Sequence, residues 1–298
     1  MIVSYAELKE EERQLVQKAW SAADHAYVPY SHFPVGVAIL AENEAGESQV
    51  FSGGNIQNKS WDVDCCAERA VTFNAFEQGF RRLKILSMVT VNKPGGAPCG
   101  LCRQVLVELA AGAKVLCVQN KNHDVKVWTV RELLPEAKVR EVVRFEDLDE
   151  ADKHLAQLAI ERASSKFSPY SKIAEGAAIV ARNRAGKERN FDGVRIENGV
   201  YGGTISAARV AAHNAVNEGF DEFVAVAVYA EERRRRGSRA ATDSSSNEFI
   251  AVNGACLQTL RQFGLNTRVL NVCISKRMVG CATINQLLPD SFGPDAVL

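Results

Sequence analysis

At 298 residues, with 46% hydrophobic and 24% charged side chains, the chain has the make-up of an ordinary globular protein and is long enough for one large domain or two ordinary ones. Its 36 basic and 36 acidic residues cancel, which excludes a global field that would attract nucleic acid or anionic lipid. No apolar run reaches bilayer-spanning length, and the opening MIVSYAELKEEERQ lacks a basic start followed by an apolar core, so a cytoplasmic protein with no membrane partner is expected.

In chain order, Leu8, Leu15, Ala19, Ala22 and Ala23 recur at helical spacing and predict a helix over Glu7 to Ala26. VGVAILAE and SQVFSGG flank an NEAGE turn and predict a hairpin. A second helix is predicted from near Asp64 to a stop at Gly79, followed by the buried strand ILSMVTVN. GLCRQVLVELAAG predicts a third helix closed by Gly112. The strands KVLCVQN and VKVWTV come last, separated by a turn around Lys121 to Asp124. A turn that short joins antiparallel neighbours, because a parallel crossover needs a dozen or more residues.

The pattern then repeats. YVPYSHFPVGVAILAENEAGE from Tyr27 matches FSPYSKIAEGAAIVARNRAGK from Phe167 at an offset of 140, and the register runs on through Phe51 and Phe191 to Phe80 and Phe220. Beyond that the offset is 154, with GLCRQVL from Gly100 facing GACLQTL from Gly254. The change is one insertion that includes the polar run Glu231 to Asn247, read as a surface loop whose arginines, Arg233 to Arg239, belong to a solvated face. The expected division is therefore two homologous domains, 1–144 and 145–298.

Eight cysteines in such a chain suggest metal ligands and small core residues rather than a disulfide framework. Cys66 and Cys99 each stand where the chain enters a helix, and Cys102 follows one turn later. Helix N-termini favour the thiolate that binds metal. Three thiolates leave a tetrahedral zinc one open position, the mark of a catalytic site, and Glu68, two residues past Cys66, is placed to face it. A lone C-x-x-C would equally suit a redox pair or half of a structural zinc site. Cys-x-Glu and Pro-Cys-x-x-Cys in this order, each at a helix start, match the zinc nucleobase deaminases in the variant with three cysteines. Arg69 is expected to offset the negative charge of the tris-thiolate. Cys65, Cys117, Cys273 and Cys281 are read as core residues, and neither His123 nor His213 is a ligand candidate.

AYVPYSHFPVG, NIQN, CAER and PCGLCRQ together resemble the nucleoside cytidine deaminases across nearly the whole first half. The resemblance implies a three-layer α/β/α sandwich around a mixed five-stranded sheet, here duplicated in tandem. It implies hydrolytic deamination of cytidine and deoxycytidine to the uridines and ammonia in pyrimidine salvage, with one zinc per chain. By the same resemblance Phe33 stacks on the pyrimidine, Asn55 and Gln57 hold the ribose, Ala67 lies against the substrate and Glu68 shuttles protons. Gln57 departs from the family's usual glutamate, which leaves the sugar preference open. So do Lys59 and Trp61, where the family commonly has Ala and Tyr. Other readings are a deaminase of a modified nucleoside, a deaminase of cytosine in RNA or DNA, and a regulatory nucleoside-binding protein without turnover. Intact Glu68 speaks against the last. Relatives acting on polynucleotides typically place a helix between the last two strands, where this chain has a short turn.

The second half has lost the chemistry. Ser206 faces Cys66, Ala208 faces Glu68 and Asn253 faces Cys99; Ile173 replaces Phe33 and Arg195 replaces Asn55, while Cys256 alone matches a ligand, Cys102. That resembles two-domain bacterial cytidine deaminases, in which an inert domain supports a live one and a homodimer forms a pseudo-tetramer, although those enzymes usually carry His where this chain has Cys66. Single-domain relatives close with LLPxSFGP, whose Phe reaches a neighbouring site. Here only the second half keeps it, from Leu287 to Pro294, and Phe292 is expected to cover the zinc site of another domain across a homodimer.

Overall fold

The structure is a computed structural model and describes residues 1–91, 97–119, 124–135, 141–165, 167–232, 252–273, 275 and 277–294. The turn residues 121–123, His123 among them, and the arginines 233–239 lie outside the described residues. The chain divides into two compact units, Met1–Leu134 with Pro289–Leu298, and Pro135–Leu288. This division differs from the expected one at two places: residues 135–144 group with the second unit, and the last ten residues group with the first. Among the described residues no helix is long and apolar enough to cross a membrane.

In the first unit, strands β1 (Ile2–Val3), β2 (Val35–Glu42), β3 (Ser48–Gly54), β4 (Arg82–Thr90), β5 (Lys114–Gln119) and β6 (Val125–Thr129) form one sheet in the order β1-β6-β5-β4-β2-β3. Only β4 and β5 pair in parallel; β5 and β6 are antiparallel, as the short turn between them requires. The sheet is mixed as expected but has six strands rather than five. The extra edge strand β1 is two residues long, with Ile2 opposite Lys126, and so short a segment carries no alternating pattern to read.

Helix α1 (Glu10–Ala23) packs on one face of the sheet, and α2 (Ala67–Glu77) and α3 (Gly100–Leu109) on the other. Alternation along β2 explains the three layers: Val37, Ile39 and Ala41 enter the core under α2 and α3, whereas Ala38 enters the core with Leu15, Val16 and Ala19 of α1. Helix α2 begins later than the sequence suggests, at Ala67, because Cys66 holds extended backbone angles and caps it; α3 begins at Gly100 as expected, capped by Cys99. Gly79, at φ +87°, ends the turn after α2 in the left-handed region that favours glycine. A short α4 (Val130–Leu133) follows β6.

Gly36 of β2 sits hard against α1, where an added Cβ would lie 1.9 Å from the carbonyl oxygen of Ala19 and 2.6 Å from the amide nitrogen of Ala23. Backbone cannot move aside as a side chain can. Gly36→Ala is therefore expected to destabilise the protein by about 3 kcal/mol, readable as a lowered urea midpoint; an unchanged midpoint would mean that α1 does not rest on β2 this closely.

The second unit repeats the plan. Its sheet is β7 (Glu141–Arg144), β12 (Met278–Thr283), β11 (Arg268–Cys273), β10 (Phe220–Glu232), β8 (Ile173–Asn183) and β9 (Glu188–Val194), in that spatial order, with β10 and β11 parallel. Helix α5 (Glu150–Ala163) covers one face and α6 (Ala207–Asn217) the other, with α7 (Gly254–Arg261) beside α6 and α8 (Ile284–Leu287) after β12.

Candidate active site

The sequence strip Asn55 to Gln57 leaves β3 and is held between two distant segments. Ile56 exchanges both backbone hydrogen bonds with Cys65 at 3.0 Å, and on the other side Tyr27 donates its N–H to the Asn55 carbonyl and accepts from the N–H of Gln57. The side chain of Asn55 accepts from the N–H of Val35 at 2.9 Å and donates to the carbonyl of Phe33 at 3.1 Å, fixing the backbone that carries the Phe33 ring. Gln57 accepts from the N–H groups of Tyr30 and Ser31 and donates to the Ser31 hydroxyl at 2.7 Å. Both amides thus hold the loop before β2, a job the sequence did not disclose.

Across from that strip lie the two helix starts. Cys66 caps α2, Cys99 caps α3, and Cys102 lies in the first turn of α3. The Cys66 and Cys99 sulfurs are 3.8 Å apart, those of Cys99 and Cys102 are 3.5 Å apart, and all three lie within 4.8 Å of one another. Zinc binds thiolate at about 2.3 Å in a tetrahedron, whose sulfur–sulfur edge is then about 3.8 Å. The cluster has the spacing of three corners of that tetrahedron. The sulfurs are electrostatically coupled: contact with Cys102 and Cys66 holds the Cys99 thiol well below the usual range, and contact with Cys66 and Cys99 pushes Cys102 well above it. A divalent ion among them would let all three ionise. Among the described residues this is the only trio of ligand side chains so placed.

Glu68 is 4% exposed. Burial, and then the neighbouring Cys66, push its carboxyl up to about 7. A cation on the sulfurs would favour its ionised form. Arg69 donates to the carbonyl of Asp64 at 2.9 Å and reaches the Cys66 sulfur at 4.0 Å.

These residues line one cavity of about 200 Å³, whose wall includes Phe33, Asn55, Gln57, Ala67, Glu68 and Phe292, with Cys66 and Cys99 at its base. Cys65 also lines it and is only half buried, so it is not the core residue expected from sequence. Cys102, fully buried, stands behind it. Phe292 lies 5.7 Å from Phe33, ring centroid to ring centroid. The route differs from the expected reach across a homodimer: Phe292 approaches the cavity of the first unit of its own chain.

Sequence reasoning missed Arg103. It is 0% exposed and donates to four carbonyls, those of Pro98, Leu133, Pro289 and Asp290. The signal was present as the Arg of CGLCRQ against the Leu of GACLQTL in the second half.

In the second unit the corresponding place is filled by the chain's own side chains. Arg195 bonds to Glu175 and Glu197, both at 3.1 Å, and the Glu175 carboxylate accepts from the N–H of Ala207 at the start of α6 at 2.9 Å. Ser206 and Cys256 pair at 2.8 Å, and Asn253 caps α7. Burial opposes ionisation of Glu197, but the Ser171 hydroxyl, the N–H groups of Ser171 and Tyr170 and the Arg195 guanidinium hold its carboxyl at about 2.

The family model for the cytidine and deoxycytidylate deaminase zinc-binding region matches residues 9–118. Cytidine deaminase of Sporosarcina psychrophila is 38% identical over 132 residues, which are 44% of this chain and 94% of that protein. Cytidine deaminase of Actinobacillus pleuropneumoniae serotype 5b is 27% identical over 242 residues, 78% of this chain and 76% of that protein. A crystal structure of cytidine deaminase from Burkholderia pseudomallei is 34% identical, covering 43% of this chain and 98% of that one, with a TM-score of 0.38. Likeness that runs along 94% of a relative at 38% identity reaches far beyond a shared metal motif, and the chain therefore belongs to the cytidine deaminase family of enzymes.

Proposed function

We propose that the first unit catalyses hydrolytic deamination of cytidine and deoxycytidine to uridine and deoxyuridine, releasing ammonia, as a step of pyrimidine salvage in the cytoplasm. The observation that carries this reading is a buried carboxyl, Glu68, in the wall of a cavity that Cys66 and Cys99 also line, with Cys102 behind them completing three sulfurs at zinc spacing. Cys66, Cys99 and Cys102 would hold one zinc per chain. When bound, zinc is a Lewis acid that makes water nucleophilic near neutral pH.

Glu68 takes a proton from the attacking water and returns it to the ring nitrogen beside the amine-bearing carbon. The water oxygen forms its bond to that carbon. Glu68 then passes the remaining proton to the amine, the carbon–nitrogen bond breaks, and ammonia leaves. One carboxyl that takes a proton and gives it back serves in both directions. Asn55 fixes the backbone of Phe33, so that ring offers a preset face to the pyrimidine. Gln57, already committed to the Ser31 loop, has one amide hydrogen left for a sugar hydroxyl. Ala67 offers the first backbone N–H of α2, and Phe292 closes the cavity against bulk water.

The antiparallel β5–β6 pair supports a free nucleoside over a polynucleotide. Exposed apolar residues that recur in both units, Tyr27 and Phe167, Tyr30 and Tyr170, Ile56 and Ile196, support assembly as a homodimer with pseudo-tetrameric symmetry. Absorbance and ammonia release, followed with cytidine, deoxycytidine and cytosine-containing oligonucleotides, test the reading. Turnover of both nucleosides is expected. Turnover of the oligonucleotide alone, or none at full zinc loading, would replace it.

A further inference from the structure

The two copies of the fold supply an internal comparison. Arg103 has four carbonyl acceptors on three separate segments: Pro98, next to the ligand Cys99; Leu133 at the end of α4; and Pro289 and Asp290 in the tail that leads to Phe292. A guanidinium stays charged at neutral pH, and all of these acceptors are carbonyl oxygens. Two further contacts hold the same stretch of tail. The N–H of Ala97 donates to the Asp290 carbonyl at 3.2 Å, and Lys126 pairs with the Asp290 carboxylate at 2.7 Å. Asp290 itself sits at φ +51°, a left-handed turn that Asp tolerates better than most residues.

In the second unit the position equivalent to Arg103 is Leu257, buried at 2% exposure in α7. The same sheet and helices pack there with leucine at this position, and α7 buries an arginine, Arg261, one turn further on. The fold accommodates an apolar residue where the first unit has Arg103. Among the described residues, the cysteine cluster belongs to the first unit alone, and the tail docks beside it.

We propose that Arg103 is a positioning residue that locks the Pro289 to Phe292 tail onto the metal loop, so that Phe292 is held over Phe33 and the substrate cavity. A planar guanidinium with its donors in a fixed fork suits this task, because one rigid group bridges carbonyls of three chain segments at once. Loss of the fork frees the tail without touching Glu68 or any ligand sulfur.

The test is a double-mutant cycle of Arg103→Leu, the residue of the second copy, with Phe292→Ala. Arg103→Leu alone is expected to lower kcat/KM by on the order of tenfold to a hundredfold through misplacement of a substrate-covering group. Most of that loss should fall on KM, with bound zinc unchanged. In the Phe292→Ala background its further effect should shrink to within about twofold, as for two residues acting as one unit. Should Arg103→Leu fail to fold, Arg103→Lys carries the same cycle, since one ammonium cannot reach all four carbonyls.

A second arm reads the tail directly: mass spectrometry of carboxypeptidase digests should show faster removal of residues through Phe292 in the Arg103 variant than in the unaltered protein. The kinetic arm rests on the deaminase reading and the digestion arm does not, so failure of one idea is distinguishable from failure of the other. Equal kinetic losses in both backgrounds, or digestion at the unaltered rate, would overturn the role of Arg103.

Discussion

Glu68→Gln is expected to keep the fold and the metal while losing cytidine turnover by on the order of a hundred- to ten-thousand-fold, the usual contribution of a positioned general acid–base group. The amide is nearly the same size as the carboxyl and fits the same buried place, so packing around α2 should not change. It cannot take a proton from water or give one to the ring nitrogen and the departing amine. The loss should appear in kcat, because the proton moves only along the reaction path. Rates compared at matched zinc content, with thermal melts alongside, decide the matter. Near-normal turnover would move the proton shuttle to another residue.

The second large effect concerns the metal. Cys99→Ala combined with Cys102→Ala removes two of three converging sulfurs, and one remaining thiolate cannot hold a tetrahedral ion. Elemental analysis should give about one zinc per chain before the change and almost none after it, with turnover abolished. The melting temperature should fall too. The three sulfurs come together only in the folded chain, so any affinity for zinc is also stability, and a strong chelator should reproduce the fall in the unaltered protein. Undiminished zinc in the double variant, or two tightly held ions per chain, would place the metal elsewhere.

Much of this was written in the sequence because its signals are local. The hairpin β2–β3, the strand β4 and the helices α2 and α3 each carry their own period and punctuation. The short turn after β5 fixed an antiparallel neighbour without any knowledge of the sheet. The cysteines were legible because each sits at a helix start, where residue type and backbone position make one argument. Strands β1 and β7 were not legible, being too short to show alternation; they exist because an open sheet edge recruits whatever extended backbone lies nearby.

The tail was the harder case. Its sequence aligns it with the second copy, yet its contacts group it with the first. That outcome depends on bonds from Arg103 to backbone carbonyls nearly the whole chain away, and main-chain acceptors leave no signature in residue type. Glu175 was equally hidden. A glutamate at the start of β8 reads as an exposed strand end until Arg195 and the first amide of α6 are seen to close around it.

The docking of that tail also bears on how such a gene can change. The two copies now hold different parts: the first has no counterpart of the closing segment LLPDSFGP, and the second has no counterpart of Cys66, Cys99 or Glu68. A deletion that kept only residues 1–134 would retain the sulfurs and Glu68 but discard Phe292 and the partners of Arg103, Lys126 and Ala97. A deletion that kept only the remainder would retain the closing segment with nothing to close. Under the proposed function, parts divided in this way work as a ratchet: selection on the one reaction preserves both halves, the first for its sulfurs and Glu68, the second for the segment that follows it.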